Sequence, residues 1–309
     1  MILHCTDRRI CMEKKSFRNQ TGQQVYYLQW TAAGPRGAVV IAHGMVEHPA
    51  RYDELASFLT EHGLAVYGIY HIGHGPDAAV LNHMGEGDFD RCVDNLHELV
   101  QLAAAQTGVP VFLLGHSMGS FLSQLYVTRY HDLAGLILSG STKAAPIAKM
   151  GAVMASVLTA LSRDKTRPSP FMNAMAFGAY NKAFPDHRTD FDWLSRDTEQ
   201  VDRYVADPLC GGICSISFYR NLTCGMARMG RKDLICKVPK NLPVYIQGGS
   251  MDPVSNMGKG LYELRDQYTG LGLARVELAV YEGARHEIFN EINRQEVYRN
   301  TLTFIDSIL

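Results

Sequence analysis

Short apolar runs alternate along this chain with longer segments whose apolar positions recur at helical spacing. Ala38–Ala42, Leu64–Tyr70 and Val111–Leu114 are almost wholly apolar, as expected for strands that are covered on both faces. Between them, Arg51–His62 and Phe89–Ala105 carry apolar side chains every three or four residues, which predicts amphipathic helices. This alternation of strands and helices predicts an α/β fold.

The same pattern extends toward both ends of the chain. Gln24–Trp30 is rich in β-forming residues, and we expect it to pair with Cys11–Phe17. Val297, Phe304 and Ile308 have the spacing of a C-terminal helix. The remaining predicted strands are Leu136–Leu138, Val244–Gln247 and Val276–Tyr281.

The alternation stops between about Lys143 and Lys237, where the chain becomes helical or irregular and rich in Met, Ala and aromatic residues. This stretch follows one predicted core strand and precedes the next, which is the position of a lid inserted over the carboxyl edge of a sheet. Alternatively, its aromatic residues form the core of a packed helical subdomain. We therefore expect a core of residues 1–142 and 238–309 and a helical lid of residues 143–237.

Composition excludes several classes of protein. With 46% apolar residues, 20% charged residues and a formal net charge of −1, the 309-residue chain is typical of a soluble globular protein. It has no basic run, so we expect no nucleic-acid partner. Met1–Asp7 lacks the features of a signal peptide, and the cysteines fit reduced thiols in the cytoplasm. The spacing of Cys210, Cys214 and Cys224 matches no common zinc pattern, so we expect no metal.

The pentapeptide Gly115-His116-Ser117-Met118-Gly119 lies between a predicted strand and a predicted helix. Strand, G-x-S-x-G and helix together are typical of a nucleophile elbow, in which a tight turn exposes the serine hydroxyl above the sheet. The alternative is an ordinary glycine-bearing turn in which Ser117 caps the helix. The surrounding pattern favours Ser117 as a nucleophile.

A serine nucleophile requires a base and an orienting acid, which follow it in the chain order Ser, acid, His in this architecture. Of the twelve histidines, only His187 and His286 follow residue 131, and only His286 comes just after the last predicted strand. Asp252 follows the preceding strand, although an aspartate before Pro253 is also typical of an Asx-turn. We therefore predict a Ser117, Asp252 and His286 triad.

The developing oxyanion needs two hydrogen-bond donors. One is expected to be the N–H of Met118, which follows the nucleophile. We assign the other to the N–H of Met45 in the loop after the Ala38–Ala42 strand, where Gly44 lets the backbone turn inward.

With these residues in hand, the chain resembles the monoacylglycerol lipase and lysophospholipase branch of the α/β-hydrolases. The likeness implies a mostly parallel eight-stranded sheet flanked by helices, with an inserted lid that shapes an acyl tunnel and can touch a membrane. It extends from about Gln24 to the C-terminus and rests on His43–His48, Arg51–Tyr52, His71–Gly75, Gly115–Ser120, Ala206–Cys210, Gly249–Asp252 and Tyr281–His286.

The resemblance also implies substrate-binding residues. Glu47 and Arg51 match positions that help build the polar end of the pocket, although a local ion pair that braces the loop is an equally good interpretation. His116 and His48 also match family positions, and both fit a structural hydrogen-bonding role better than a base. Gly44, in the matched His43–His48 stretch, is counted with His116 among the candidate substrate-binding residues. Phe289 stands where some members carry a second histidine near the polar head of the substrate, which weakens the case for glycerol recognition.

We therefore expect a serine hydrolase that cleaves esters of single-chain lipids through an acyl-enzyme and needs no cofactor. The alternatives are a carboxylesterase or thioesterase acting on small soluble acyl substrates, a proline-type peptidase and, less favoured because the triad is intact, a non-catalytic binding protein. The apolar segment Ala152–Leu161 is a candidate for peripheral membrane contact or for a buried lid helix. The oligomeric state has no signature in the sequence.

Overall fold

Eight strands form one sheet in the computed structural model, which describes residues 12–144 and 146–309 and omits the side chains of residues 146–148. The strands are β1 (Met12–Arg18), β2 (Gln24–Trp30), β3 (Gly37–Ala42), β4 (Leu64–Ile69), β5 (Val111–His116), β6 (Gly135–Ser139), β7 (Val244–Gly249) and β8 (Val276–Tyr281). Their spatial order is β1-β2-β4-β3-β5-β6-β7-β8. β2 pairs antiparallel with β1 and with β4, and every other neighbouring pair is parallel.

Helices cover both faces of this sheet. They are α1 (Asp53–Glu61), α2 (Asp88–Thr107), α3 (Met118–Tyr126), α4 (Pro146–Leu161), α5 (Pro170–Phe177), α6 (Thr198–Ala206), α7 (Ile216–Met229), α8 (Lys232–Ile235), α9 (Lys259–Gly270) and α10 (Arg294–Asp306). Short 3₁₀ helices span Pro49–Tyr52, Tyr180–Ala183, Asp192–Leu194 and Ile288–Asn290. The predicted α/β-hydrolase fold with a mostly parallel sheet is confirmed.

Alternating side chains of each central strand enter two separate cores. In β3, Val39 and Ile41 pack with apolar residues of α1 and α10, whereas Val40 faces the core formed with α2, α3 and α9. Because side chains alternate along a strand, burial on both faces explains why these strands are continuous apolar runs. All six residues of β5 are buried, so the elbow that follows it rests on a rigid base.

The segment of residues 143–237, called the inserted segment below, lies between β6 and β7 and contains α4 to α8. α4 packs along α7, with Ala152, Ala155 and Thr159 buried. α7 in turn packs against α3 and α2, and Gly225 allows its backbone to approach the Phe89 ring. The inserted segment is therefore anchored to the helices above the sheet through α7.

The structure differs from the sequence-based expectations in a few places. The α9 helix, which crosses between the parallel strands β7 and β8, was not predicted. β5 and β7 extend two residues further at their carboxyl ends than expected, up to the turns that carry Ser117 and Asp252. Cys11, at the start of the first predicted strand, and the Met1–Asp7 segment lie outside the described residues. Within residues 12–144 and 146–309, no helix combines the length and hydropathy needed to cross a membrane.

Candidate active site

Ser117 occupies a strained turn between β5 and α3. Its φ of 50° and ψ of −117° are unusual for a residue other than glycine. The two flanking glycines of the motif are required by packing, because a β-carbon at Gly119 would collide with the Ala42 carbonyl and one at Gly115 with the Ser123 hydroxyl. The Ser117 carbonyl accepts hydrogen bonds from Ser120 Oγ and the Ser120 N–H at 2.6 and 2.9 Å. The turn therefore has the strand–turn–helix geometry of a nucleophile elbow.

His286 and Asp252 form a buried pair on the loops after β8 and β7. His286 Nδ1 donates to Asp252 Oδ1 at 3.0 Å, and the Val254 N–H donates to the same oxygen at 2.9 Å. Asp252 is fully buried and His286 is 2% exposed. Because the carboxylate accepts a hydrogen bond from the Nδ1–H group, the proton stays on Nδ1 and His286 Nε2 is left as an acceptor, which is the tautomer that a general base requires.

Opposing effects set the protonation of this pair. Burial lowers the pKa of His286, but the Asp252 carboxylate, with a further contribution from Glu287 and Glu47, outweighs burial and raises it above its usual value. Burial likewise raises the pKa of Asp252, yet His286 and the hydrogen bonds to the carboxylate lower it overall. Burial and the neighbouring His286 lower the pKa of His116 to about 4, so His116 is neutral near pH 7.

Ser117 and His286 line one cavity of about 640 Å³. Met45 and His116 contribute to the same wall, and Phe177 and Trp193 of the inserted segment face them. Within the described part of the chain, the Ser117 hydroxyl forms no hydrogen bond with His286, a contact that is often long before substrate binds. His187 also lines the cavity, but it is exposed and its Nδ1 donates to the Phe184 carbonyl at 2.7 Å.

The loop after β3, residues 43–48, is held close to Ser117 from several directions. Glu47 Oε1 accepts from the Gly44 N–H, and a β-carbon on Gly44 would meet that oxygen at 2.7 Å. The Val46 N–H donates to His74 Nε2 at 3.2 Å, and Val46 has a φ of 51°. Among the described residues, the backbone N–H groups of Met45 and Met118 donate to no acceptor.

Sequence reasoning missed Glu287, the residue after His286. Arg51 Nη1 and Nη2 donate to Glu287 Oε1 and Oε2, both at 2.6 Å, while Arg51 Nη1 also bonds to Glu47 Oε2 at 2.7 Å. Burial lowers the pKa of Arg51, but the two carboxylates raise it well above its usual value. The expected Glu47–Arg51 ion pair is therefore part of a buried cluster of three charges, which joins the loop after β3 to the loop of His286.

The predicted substrate-binding residues do not all reach the cavity. Gly44, Glu47 and His116 line it, whereas Arg51 lies behind Glu47 and Glu287 and is not among the lining residues. Phe289 is 3% exposed and lies in the core formed with α1 and α10, between the rings of Tyr52 and Tyr298. The structure thus gives Phe289 a packing position rather than a place in the cavity wall.

The donor atoms of His48, Asp207 and Cys210 lie within 4.8 Å of one another, the spacing of a possible metal site in the described part of the chain. His48 Nε2 already donates to Asp207 Oδ2 at 2.7 Å. Burial raises the pKa of the Cys210 thiol despite the nearby Arg51. The arrangement therefore fits a His–Asp hydrogen bond that ties the β3 loop to the inserted segment.

Comparison with known proteins gives a consistent result. A family model described as Serine aminopeptidase, S33, matches residues 33–293. A monoacylglycerol lipase of Mycolicibacterium smegmatis is 30% identical over 301 residues, covering 95% of this chain and 97% of that protein. The monoglyceride lipase of Mus musculus is 30% identical over 293 residues, covering 94% and 88%.

Among solved structures, a highly thermostable carboxyl esterase from Bacillus coagulans in complex with glycerol has a TM-score of 0.88 and 27% identity, with 97% of this chain and 99% of that chain covered. The predicted resemblance to monoacylglycerol lipases and the predicted class of serine ester hydrolase are confirmed. The chain belongs to the Serine aminopeptidase, S33, family of α/β-hydrolases.

Proposed function

We propose that this protein cleaves carboxylic esters of single-chain lipids, monoacylglycerols foremost, through an acyl-enzyme formed on Ser117. The observation that carries the proposal is the strained Ser117 turn in the same cavity as the buried His286–Asp252 pair. No part of this chemistry requires a cofactor, because nucleophile, base and oxyanion donors all come from the chain.

The geometry supports the following sequence of steps. The Ser117 hydroxyl attacks the ester carbonyl while His286 Nε2 takes its proton, and Asp252 stabilises the resulting imidazolium. The N–H groups of Met45 and Met118 bind the oxyanion of the tetrahedral intermediate. His286 then donates its proton to the leaving alcohol and afterwards activates the water that releases the fatty acid.

The cavity supports a lipid substrate with a small polar head. Its volume of about 640 Å³ falls in the range of pockets that enclose ligands of some tens of atoms. Phe177, Trp193 and Ile213 offer an apolar wall for an acyl chain. Glu47 and Glu287, which are held by Arg51, also line the cavity, and their carboxylate oxygens can accept hydrogen bonds from the hydroxyl groups of glycerol.

Hydrolysis of four matched substrates tests this proposal: a monoacylglycerol, a lysophospholipid, an acyl thioester with the same chain and an N-terminal prolyl amide. We expect the monoacylglycerol to be cleaved fastest and Ser117→Ala to lower kcat by roughly 10⁴ to 10⁶. Ser307→Ala, an exposed hydroxyl on the last turn of the chain, is the matched control and keeps full activity.

Each other outcome reassigns the function. Preference for the lysophospholipid makes the protein a lysophospholipase, and preference for the thioester or the prolyl amide supports the thioesterase or peptidase alternatives. Unchanged activity in Ser117→Ala contradicts the proposed mechanism altogether. Failure of a fluorophosphonate to label Ser117, together with no hydrolysis, favours a non-catalytic binding protein.

We also propose that α4 and α5 of the inserted segment contact lipid surfaces and act as the lid of the cavity. Met150, Val153, Val157 and Leu161 form an exposed apolar stripe along α4, 53% to 77% exposed, opposite the face that packs on α7. Phe171 and Met175 extend the exposed apolar surface onto α5, each 57% exposed. An apolar face beside the cationic Lys149 and Arg163 is typical of a helix that lies in a membrane interface.

A double variant, Val153→Asp with Val157→Asp, tests lipid contact. We expect a smaller fraction of the variant to sediment with anionic vesicles, because two charges enter the apolar stripe. For the same reason we expect slower hydrolysis of a monoacylglycerol embedded in the vesicles. Hydrolysis of a soluble short-chain ester stays unchanged. The control is Val205→Asp, an exposed valine on α6, and equal vesicle binding by both variants contradicts the proposal. The cytoplasmic location stays a prediction.

A further inference from the structure

One part of the inserted segment is fixed directly to the loop that carries His286. The His286 and Glu287 N–H groups donate to the carbonyls of Trp193 and Leu194 at 3.4 and 2.7 Å. Arg285 Nη1 donates to the carbonyls of Asp192 and Ser195, and Ser195 Oγ donates to the Asn290 carbonyl at 2.8 Å. Residues 192–195, called the strut below, therefore support the His286 loop in addition to Asp252.

Within this strut, the Trp193 indole lies against the His286 imidazole. The two ring centroids are 5.2 Å apart and the planes are tilted by 36°. Behind the indole, Phe177 stacks at 6.0 Å and Tyr180 meets it edge-on at 4.9 Å. The backbone N–H of Trp193 donates to Asn181 Oδ1 at 3.0 Å, which holds the chain at the base of the side chain. The indole is thus held in one orientation by contacts that are independent of His286.

We infer that Trp193 is a positioning residue for His286, and that its indole face stabilises the imidazolium formed when His286 accepts the Ser117 proton. This inference rests on the proposed function. The proton moves from Ser117 Oγ to His286 Nε2, and the positive charge appears on a ring whose centre is 5.2 Å from the indole. A cation within about 6 Å of a Trp ring is attracted by its quadrupole, most strongly where water is excluded. His286 is 2% exposed and Trp193 is 8% exposed.

The other groups around His286 do not duplicate this contribution. Asp252 after β7, Glu287 in the same loop and Glu47 in the β3 loop are carboxylates that favour the imidazolium through full charges. His116 at the end of β5 is neutral, with a pKa of about 4. The Tyr180 phenol is neutral because burial raises its pKa. The His116 ring is centred 4.7 Å from the His286 ring, but His116 is itself an imidazole and lacks the large indole surface. The indole therefore adds a smaller stabilisation to that of the carboxylates.

The pKa of His286 in two matched variants tests the inference. Trp193→Phe keeps an aromatic face, whereas Trp193→Leu keeps apolar bulk without one. The pKa is read by NMR titration of ring-labelled histidine in a Ser117→Ala background, with His286 assigned by comparison with His286→Gln. We expect the pKa to fall by roughly 0.5 unit in Trp193→Leu and by less in Trp193→Phe. In the enzyme with Ser117, kcat at the pH plateau falls roughly 3-fold for Trp193→Leu.

Fluorinated tryptophan supplies a second test that leaves the packing intact. Incorporation of 5-fluorotryptophan weakens the quadrupole and lowers the pKa of His286, and the fluorinated Trp193→Phe protein, which contains only Trp30, controls for the second site. Equal pKa values in the parent, Trp193→Phe, Trp193→Leu and fluorinated proteins overturn the inference. Because the titration needs no turnover, it decides the role of Trp193 even if the ester hydrolysis proposed above fails.

Discussion

Protonation of His286 is controlled by its position among carboxylates, while burial keeps His43, His74 and His116 neutral near pH 7. Burial is the largest effect at His43, His74 and His116, and it lowers the pKa of each, to about 4 for the last two. At His286, Asp252 outweighs burial and raises the pKa. Of these four histidines, His286 has the raised pKa, and it is the one that must be neutral to act as a base.

Asp252→Asn is expected to separate the two effects of this carboxylate. The amide NH2 group can donate to an unprotonated Nδ1, which favours the wrong tautomer of His286, so kcat falls by about 10⁴. Loss of the negative charge also removes what raises the pKa of His286, so the acid limb of the kcat/KM profile moves to lower pH. The exposed Asp233→Asn is the control and keeps the parent profile. An acid limb that stays in place contradicts the assignment of that limb to His286.

The residues of the proposed triad could be predicted because each follows a strand and their chain order is diagnostic. Glu287 could not, since its partner Arg51 lies 236 residues away and a carboxylate after a loop histidine has the pattern of an exposed residue. Phe289 was assigned to the pocket from its position in the family alone. Its burial among Tyr52 and Tyr298 depends on how the 3₁₀ helix after His286 packs, which spacing in the sequence does not determine.

At the scale of elements, the Glu291 carboxylate connects the inserted segment to the loop after β8. It is completely buried and accepts hydrogen bonds from the Arg196 N–H and Nε and from the Arg285 N–H at 2.8 to 3.1 Å. A buried carboxylate with several donors stabilises only as long as those donors remain paired. Glu291 therefore joins Arg196, the residue after the strut, to Arg285, the residue before His286, and so fixes the relative position of Trp193 and His286.

Glu291→Gln replaces one acceptor oxygen with a donor and is expected to lower the free energy of unfolding by about 3 kcal/mol. Because the strut loosens, kcat should fall more than KM rises. Urea unfolding and steady-state kinetics measure the two effects. Glu263→Gln, which removes an exposed ion pair with Lys143, should change stability by less than about 0.5 kcal/mol. Equal effects of the two variants would show that Glu291 does not connect the two segments.

The strands were the easiest elements to predict, because burial on both faces leaves a wholly apolar run such as β3. The α9 helix was missed because it buries only a few apolar side chains, among them Leu261 and Leu264, in a largely polar sequence. Its existence follows instead from topology, since the parallel strands β7 and β8 require a crossover. The internal arrangement of residues 143–237 was not predicted beyond its helical character, because it depends on contacts such as those of α7 with α3.

At the scale of the whole molecule, four buried histidines tie the stability of the fold to pH. His43 Nδ1 donates to the Gly44 carbonyl at 2.7 Å while its Nε2 accepts from the His71 N–H at 3.2 Å. His74 likewise donates to the Ile72 carbonyl and accepts from Val46. Only a neutral imidazole can both donate and accept, so protonation of either ring breaks a contact that holds the β3 loop. The pKa values of His43, His71, His74 and His116 are all lowered, first by burial.

We therefore expect stability to fall on acidification from neutral pH. Below about pH 6.5, the pKa of histidine in the unfolded chain, the unfolded state binds protons at these four sites and the native state does not. Each site therefore lowers the free energy of unfolding by up to about 2 kcal/mol between pH 6.5 and 5. His286 has a raised pKa and acts in the opposite sense, since its contribution is present below about pH 6.5 and is lost as pH rises through its folded value. Urea unfolding at pH 7, 6 and 5 measures the net slope of the unfolding free energy against pH.

His71→Leu should make this slope shallower, because the His71 ring nitrogens have no partner within the described residues and the variant removes one titrating site. The exposed His131→Asn should leave the slope unchanged, and a slope equally steep in the parent and in His71→Leu would show that the buried histidines do not set acid stability.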